Sequence, residues 1–101
     1  MSKDIRTKNY LFRLRRMRRM SQKQFAALLG LRSPKAIGKY EYGTRLPPLK
    51  IAMQMEIVLG TKLSEIYVDL YRELGLAAVD REDRMPGTFS HHIRGRVLGK
   101  D

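Results

Sequence analysis

Residues 21–43 constrain the fold more than any other stretch, because they read as two short helices joined by a tight turn. Ser21 has a hydroxyl that can accept from the unpaired backbone N–H groups at a helix start, and Gln24 stands three residues later, as in a capping box. From Phe25 onward, apolar residues recur at helical spacing. Gly30 then fits the position just past a helix end, where a positive φ is needed.

A second helix start follows within three residues. Ser33 can cap this helix, and Pro34 fits its first position, where no backbone N–H is required. Helical spacing predicts that Ile37, Tyr40 and Glu41 point inward. The opposite face of this short helix carries positive charge and few bulky side chains, so the helix could enter the major groove of duplex DNA. The residues predicted on that face are Lys35, Gly38, Lys39 and Tyr42.

The net charge of +11 lies entirely in the first half of the chain. Residues 1–50 contain 14 basic and 2 acidic side chains, a net charge of +12, whereas residues 51–101 contain 7 basic and 8 acidic ones, a net charge of −1. A generally basic, soluble surface would spread its charge more evenly. The asymmetry therefore indicates a polyanionic partner that faces the half containing the two helices.

The length of 101 residues suits one domain with a tail. The chain has no cysteine, which excludes disulfides and thiolate metal sites and suits a reducing compartment. Its longest apolar runs are too short to span a membrane, and the N-terminus does not resemble a secretion signal. We therefore expect a cytoplasmic protein.

Catalytic and metal-binding patterns are not evident in this sequence. It has no serine–histidine–aspartate set with motif support, no metal-ligand cluster and no glycine-rich phosphate loop. His91 and His92 are adjacent, so their side chains would point apart on a helix or a strand, and no cysteine or acidic ligand is close to them in sequence. We predict that the protein is not an enzyme and that it binds no cofactor and no metal.

The order of a capped helix, a glycine turn, a second capped helix and a Glu-x-Gly segment at residues 41–43 closely resembles the helix-turn-helix of the phage Cro and cI repressors. These repressors belong to the Cro/C1-type, or XRE-type, family of regulators. The resemblance covers roughly residues 9–67, with one extra residue within Arg32–Lys35 that places Ile37 and Tyr40 one position late. It implies an all-α, five-helix, lambda-repressor-like DNA-binding domain, followed here by a helical extension and a C-terminal tail.

The resemblance also implies which residues contact DNA. Gln22, at the start of the first helix of the pair, would reach a phosphate, and Thr44 and Arg45 would lie along the DNA backbone. The second helix would enter the major groove, where a lysine can bind guanine O6 and N7. Gly38 would cost about 1 kcal/mol of helix propensity, which is understandable if a Cβ would hold the helix away from the DNA. The full predicted set is Arg18, Arg19, Gln22, Arg32, Ser33, Lys35, Gly38, Lys39, Tyr42, Thr44 and Arg45.

A structural ion pair is implied by the resemblance as well. Counting back from Ser21, Arg15 occupies the place of the arginine that, in this family, pairs with the glutamate of the Glu-x-Gly segment, here Glu41. Both side chains would point inward, where leaving one of them without its partner would be costly. We therefore expect Arg15 and Glu41 to hold the fold together rather than to bind DNA.

The chain is predicted to consist of three segments. Residues 1–8 are expected to be a loose basic arm, and residues 9–74 to be the DNA-binding domain with an extended last helix. Residues 75–101 are expected to be an irregular tail that serves dimerisation or partner binding. Alternating apolar residues at 93–98 predict a single short strand within that tail, and a lone strand either pairs with the tail of a second subunit or is disordered.

Apolar spacing predicts a helix over Leu49–Leu59, with Met53 among its core residues, and another from about Ser64 onward. The second pattern continues beyond what a five-helix domain needs to cover itself. It either folds back on the domain's own core or forms a dimer interface, and we expect the interface, because reading a palindrome requires two copies. The residues of the predicted interface are Leu63, Ile66, Tyr67, Leu70, Tyr71 and Leu74.

These features together predict a regulator that binds double-stranded DNA in a sequence-specific way, most simply a dimeric repressor at an inverted-repeat operator. An antitoxin whose tail binds a protein partner, and whose DNA binding serves autoregulation, would show the same features. RNA binding is disfavoured, because no aromatic stacking platform is evident. No membrane partner is expected.

Overall fold

The computed structural model describes residues 6–87 and 91–99, and every regular element within these ranges is a helix. The predicted all-α fold is confirmed. The chain divides into two compact units, one ending at Val68 and the other beginning at Asp69. The helices are α1 (Leu11–Met17), α2 (Gln22–Leu28), α3 (Lys35–Tyr42), α4 (Leu49–Leu59), α5 (Leu63–Ile66), α6 (Val68–Asp83) and α7 (Ile93–Leu98).

The first unit packs α1 to α5 around an apolar core. α1 and α5 are linked where the backbone N–H of Tyr10 donates to the carbonyl of Ile66 at 3.0 Å, and Leu11 and Ile66 are both fully buried. Helices this short are marginal in isolation, so they depend on burying one face against their neighbours. The buried apolar side chains of this unit are Leu11, Phe25, Ala26, Leu29, Ile37, Tyr40, Met55, Leu59, Ile66 and Tyr67.

Tyr67 brings a polar hydroxyl group into this apolar core. Its oxygen is buried and has no hydrogen-bond partner among the residues that the structure describes. Burial raises the pKa of Tyr67 to about 12, and the neighbouring Tyr40 adds to the effect. The phenol therefore stays neutral in the folded protein, and its hydroxyl costs stability rather than contributing to it.

The capping box predicted for α2 is confirmed. The Ser21 hydroxyl accepts from the N–H of Gln24 at 3.0 Å, and the Gln24 side chain accepts from the N–H of Ser21 at 2.8 Å. The next helix, α3, begins one residue later than predicted. Pro34 stands just before its first residue, and the Ser33 hydroxyl accepts from the N–H of Lys35 at 3.0 Å.

The predicted bounds of α4 are confirmed, but the predicted burial of Met53 is wrong. α4 packs on the core through Met55 and Leu59, which are fully buried, whereas Met53 is 55% exposed. Met53 shares the outer side of the helix with Leu49 and Ile57, at intervals of four residues. The apolar residues of α4 therefore occupy two faces, and spacing alone does not tell which of them turns inward.

The prediction of one continuous last helix is also wrong. α5 ends at Ile66, and Tyr67 interrupts the helical backbone with φ −115° and ψ 59° before α6 begins. Ile66 and Tyr67 are buried in the core of the first unit, which makes them core residues rather than interface residues. Tyr71 and Leu74, on α6, are exposed.

The second unit is helical where an irregular tail was predicted. α6 continues past Gly75 to Asp83, so the predicted break after Leu74 is wrong. Val97 packs against Gly75, since a Cβ there would lie only 3.0 Å from a methyl carbon of Val97. The glycine therefore makes room for Val97 of the C-terminal helix (Ile93–Leu98, α7) to pack closely on α6, and it does not end α6.

The strand predicted near the end of the chain is wrong, since Ile93–Leu98 forms α7. Glu82 of α6 is buried, and its carboxylate accepts from the backbone N–H groups of His92, Ile93 and Arg94 at 2.5, 2.7 and 2.9 Å. The first N–H groups of a helix have no partner within that helix. Glu82 therefore caps α7 from a distant position in the sequence.

Glu82 is ionised in this setting. Burial alone would raise the pKa of Glu82, but the hydrogen bonds from the backbone of Ile93, Arg94 and His92, together with the nearby His91, outweigh burial and lower the pKa. The carboxylate form is thus the form that stabilises the contact between α6 and α7.

The loose arm predicted before α1 is wrong for its last residues. The N–H of Thr7 donates to the carbonyl of Gly43 at 2.8 Å, and the Asn9 side chain accepts from the N–H of Leu11 at 2.9 Å. Asn9, which follows the predicted arm of residues 1–8, caps α1. The rest of the predicted arm, residues 1–5, lies outside the described residues.

Two further features are absent from residues 6–87 and 91–99. No helix in these ranges is long and apolar enough to cross a membrane. In the same ranges, no group of three histidine, cysteine, aspartate or glutamate side chains is arranged to hold a metal ion.

Candidate nucleic-acid interface

α2 and α3 form a helix-turn-helix. The turn contains Gly30, whose φ is 77°, and is closed by a hydrogen bond from the N–H of Leu31 to the carbonyl of Ala26 at 2.9 Å. Phe25 and Ala26 on α2 are buried, as is Ile37 on α3. Because both helices turn these side chains into the core, the opposite side of α3 is left facing solvent.

The exposed side of α3 carries two lysines and a glycine between them. Lys35 and Lys39 are exposed, and neither forms an ion pair with a residue that the structure describes. Tyr42 ends the helix on the same side and is 61% exposed. The structure therefore places these residues together on one face, because they are spaced by three or four positions along a helix.

Gly38, between the two lysines, is not explained by packing among the described residues. A Cβ at Gly38 would have Nε2 of Gln22 as its nearest neighbour, at 3.8 Å, which is ordinary van der Waals contact. Alanine would therefore fit, and it is favoured over glycine in a helix by about 1 kcal/mol. The exposed side of α3 therefore has no side chain at this position, although the fold would accept one.

Gln22, at the start of α2, is held beside α3 by Glu41. Its Nε2 donates to Oε1 of Glu41 at 3.0 Å. Glu41 also accepts from Arg15, and the Arg15 and Glu41 side chains are each only 6% exposed. The ion pair expected between Arg15 and Glu41 is thus present and buried. Its link to Gln22 was not predicted from the sequence.

The two arginines before α2 occupy different environments. A guanidinium nitrogen of Arg18 lies 3.7 Å from the point that a Cβ at Gly60 would occupy, at the C-terminal end of α4, where a cation is favourable. Arg19 is exposed and has a φ of 57°, the left-handed conformation that glycine adopts at Gly30 and Gly43. This conformation is unfavourable for a residue with a side chain, so the turn between α1 and α2 imposes it on Arg19.

The remaining predicted contacts flank α3. Arg32, before the helix, and Thr44 and Arg45, after it, are exposed. Ser33 is half-buried, and its hydroxyl accepts from the first N–H group of α3, so it has a capping role. The Thr44 hydroxyl donates to the carbonyl of Lys39 at 3.4 Å, which keeps this residue at the end of the helix.

Arg6 joins this surface although the sequence did not predict it. Its guanidinium carbon lies over the ring of Tyr42, 4.4 Å from the ring centre, which is within the range of a cation–π interaction. Arg6 belongs to a segment without apolar periodicity, so no local pattern indicates its position. Only the approach of that segment to the end of α3 brings the two side chains together.

A helix-turn-helix whose second helix presents an exposed cationic face is the class of domain that reads duplex DNA in the major groove. A family model described as helix-turn-helix matches residues 11–66, which is more than half of the chain. The chain belongs to this family, the Cro/C1-type or XRE-type helix-turn-helix regulators. Searches among curated proteins and among solved structures gave no significant match.

Membership of this family makes the protein a DNA-binding transcription regulator whose partner is double-stranded DNA. The family is a regulatory one and is typically without enzymatic activity. The matched range begins at the first residue of α1 and ends at the last residue of α5. The second unit, from Asp69 onward, lies outside it.

Proposed function

We propose that the protein is a dimeric repressor that binds an inverted-repeat operator through α3 in the major groove. The observation that carries this proposal is the exposed face of α3, on which Lys35 and Lys39 flank Gly38. A lysine ammonium group binds guanine O6 and N7, and a glycine lets the helix backbone approach the base edges. At least one guanine is therefore expected in each half-site.

Base reading and phosphate binding would fall to different residues. Lys35 and Lys39 lie on the face that would enter the groove, whereas Gln22 and Arg45 lie at the edges of the helix-turn-helix, where the DNA backbone would pass. Contacts to phosphates position a protein but carry no sequence information. Substitution of Lys35 would therefore change which sequences are preferred, and substitution of Arg45 would weaken binding to all of them equally.

Dimerisation through α6 is supported by the exposure of Tyr71 and Leu74, which are 64% and 58% accessible. Leu70, on the same side of the helix, is half-buried. Large apolar side chains grouped on an exposed helix face favour association with a second apolar surface. A two-fold dimer would present two copies of α3 to the two halves of an inverted repeat. Leu63, on α5, is half-buried in the first unit and is not required for this contact.

Selection of duplexes from a randomised library tests the proposed recognition. The expected product is an inverted repeat whose half-site centres lie about one DNA turn apart, ~34 Å. If each subunit neutralises about four phosphates, the logarithm of the binding constant should fall with the logarithm of salt concentration with a slope of about −7. Recovery of no preferred sequence would contradict sequence-specific binding.

The variant Tyr71→Asp with Leu74→Asp tests the proposed dimer. It should sediment as a folded monomer and bind one half-site with about half of the wild-type salt slope. Arg72→Asp is a matched control, since it adds an aspartate to an exposed position on the other side of α6, and it should remain dimeric. A dimeric double variant would place the interface elsewhere.

Binding of a second, different protein by the second unit is the alternative function. Leu76 and Leu98 are 47% and 51% exposed, and a dimer built on Tyr71 and Leu74 would not use them. Co-expression with the products of adjacent genes tests this alternative. A stoichiometric complex that Leu76→Asp disrupts would support this alternative. A homodimer that binds none of the co-expressed proteins would contradict it.

A further inference from the structure

Residues 6–9 are held against the C-terminal end of α3 by contacts of three kinds. The backbone N–H of Thr7 donates to the carbonyl of Gly43 at 2.8 Å. The side-chain amide of Asn9 donates to the carbonyls of Tyr40 and Thr7, both at 3.0 Å. The guanidinium of Arg6 lies over the ring of Tyr42. The segment that leads into α1 is therefore part of the surface that surrounds the end of α3.

Gly43 is the residue that permits this approach. Its φ is 90°, and a Cβ on it would lie 2.3 Å from the carbonyl oxygen of Thr7 and 2.8 Å from its nitrogen. These neighbours are backbone atoms, which cannot move aside as the end of a flexible side chain can. Gly43 therefore serves two purposes, since it ends α3 and it admits the segment that carries Arg6.

We propose that Arg6 binds a DNA phosphate and that Tyr42 is its positioning residue. The inference rests on the function proposed above, and it assigns a contact to a segment outside the helix-turn-helix. Tyr42 lies one turn along α3 from Gly38 and Lys39, and Thr44 and Arg45 follow directly after Gly43. Arg6 is thus located at the end of α3 where the DNA backbone would pass.

The contact with Tyr42 is compatible with phosphate binding. A stacked arginine uses the flat face of its guanidinium, whereas a phosphate is bound by the N–H groups at the edge. Both the stacking on Tyr42 and the hydrogen bond at Thr7 restrict Arg6 before DNA arrives. A side chain that is already ordered loses less conformational freedom on binding, so it contributes more to affinity than a mobile surface cation.

Arg6→Gln in the full-length chain tests the phosphate contact. Binding to the selected operator duplex would be measured over a range of salt concentrations, at a temperature where circular dichroism shows the variant to be folded. The salt slope should become less steep by about 0.9 for each bound subunit. Affinity should fall about tenfold and equally for operator and unrelated duplexes. Lys62→Gln removes the same charge from an exposed position before α5, outside the helix-turn-helix, and should leave the slope unchanged.

Substitutions of Tyr42 test the positioning role. Tyr42→Phe keeps an aromatic ring under Arg6 and should weaken binding less than Tyr42→Leu, which removes the ring. In the Arg6→Gln background, Tyr42→Leu should add little further loss, because the two residues act together. Additive losses would overturn the assignment to Tyr42, and a wild-type salt slope in Arg6→Gln would overturn the assignment to Arg6. Failure of the wild-type chain to bind duplex DNA would instead contradict the proposed function.

Discussion

Arg15 of α1 and Glu41 of α3 form a buried, bidentate ion pair. Nε of Arg15 donates to Oε2 of Glu41 at 2.5 Å, and Nη2 donates to Oε1 at 3.3 Å. The third guanidinium nitrogen, Nη1, donates to the carbonyl of Met20 at 2.8 Å, between α1 and α2. Gln22 binds the same carboxylate. One glutamate therefore joins α1, the start of α2 and α3, which links the stability of the domain to the orientation of α3.

Removing either partner of this ion pair should destabilise the domain. Arg15→Ala or Glu41→Ala leaves a charged group buried without its partner, and we expect the free energy of unfolding to fall by about 3 kcal/mol or more. Urea denaturation followed by circular dichroism measures the change. The double variant Arg15→Met with Glu41→Leu should recover much of the loss, because it leaves no buried charge.

An exposed ion pair in the same chain provides the control. A guanidinium nitrogen of Arg84, the first residue after α6, lies 3.0 Å from a carboxylate oxygen of Asp80 on α6, but the two side chains are 75% and 61% exposed. Arg84→Ala should therefore change the free energy of unfolding by less than about 1 kcal/mol. Equal effects of Arg15→Ala and Arg84→Ala would mean that burial of the first pair does not determine its contribution.

Tyr67→Phe should stabilise the first unit, because it removes a buried hydroxyl that has no partner among the described residues. We expect a gain of about 1 kcal/mol in the free energy of unfolding at neutral pH. The pKa of Tyr67 is raised to about 12 from an ordinary value of 10.0, so the folded state favours the neutral phenol. Because ionisation of Tyr67 is harder in the folded state than in the unfolded state, it does not reduce the free energy of unfolding below pH 10.0. Above pH 10.0 the unfolded state ionises first, and the free energy of unfolding falls as the pH rises towards 12.

The alkaline limb of the stability curve checks the same variant. Between pH 10.0 and about 12, the free energy of unfolding should fall less in Tyr67→Phe than in the wild type, because the variant has no phenol to ionise at this position. Tyr71→Phe makes the same chemical change at a side chain that is 64% exposed, and it should leave the free energy of unfolding close to that of the wild type. Destabilisation by Tyr67→Phe would show that its hydroxyl does have a partner.

Local signals account for what the sequence predicted correctly. The hydroxyl of Ser21 and the side chain of Gln24 act within one turn of each other, so their spacing alone identifies the start of α2. Leu49–Leu59 is bounded by Pro48, whose ring fixes its φ, and by Gly60, which adopts the left-handed conformation that ends the helix. The place of Arg15 and Glu41 was implied by family resemblance, because neither spacing nor composition joins residues 26 positions apart.

The errors arise where distant residues decide the local structure. Alternating apolar residues before Gly99 predicted a strand, but Glu82 supplies the missing helix cap from ten or more positions away. Gly75 predicted a helix end, yet Val97 packs against it and the helix continues. Arg6 lies in a segment without any pattern, and only its approach to Gly43 reveals its position.

Protonation of Glu82 should release α7 from α6. The pKa of Glu82 is lowered by its three backbone hydrogen bonds despite burial, so the stabilisation is complete above the ordinary pKa of a glutamate and is lost as the pH falls through the lower, folded-state pKa. The amide resonances of His92, Ile93 and Arg94 should titrate together at that pKa. In Glu82→Gln they should show no such titration.

Glu73→Gln is the control for this titration, because Glu73 is exposed on the same helix. The three amides should titrate in this variant as they do in the wild type. A midpoint at or above the ordinary pKa of a glutamate would show that the hydrogen bonds to Glu82 do not favour its charged form.

Gly38→Ala should separate stability from DNA binding more cleanly than any other single substitution in α3. Among the residues that the structure describes, Nε2 of Gln22 at 3.8 Å would be the only atom within 4 Å of the added Cβ, so the fold can accept it. Alanine is the better helix former, and we expect the free energy of unfolding to rise by up to about 1 kcal/mol. If the glycine is there to let DNA approach the helix, the same variant should bind its operator more weakly.

Gly95→Ala is the matched control for this comparison, because Gly95 lies in α7 and a Cβ there would have no neighbour within 4 Å among the described residues. Both variants should gain stability in urea denaturation. Only Gly38→Ala should lose affinity for the operator duplex, and the loss should be greater for the operator than for unrelated DNA, because close approach matters at base edges more than at phosphates. Wild-type affinity in Gly38→Ala would mean that α3 does not bring its backbone at Gly38 against the DNA.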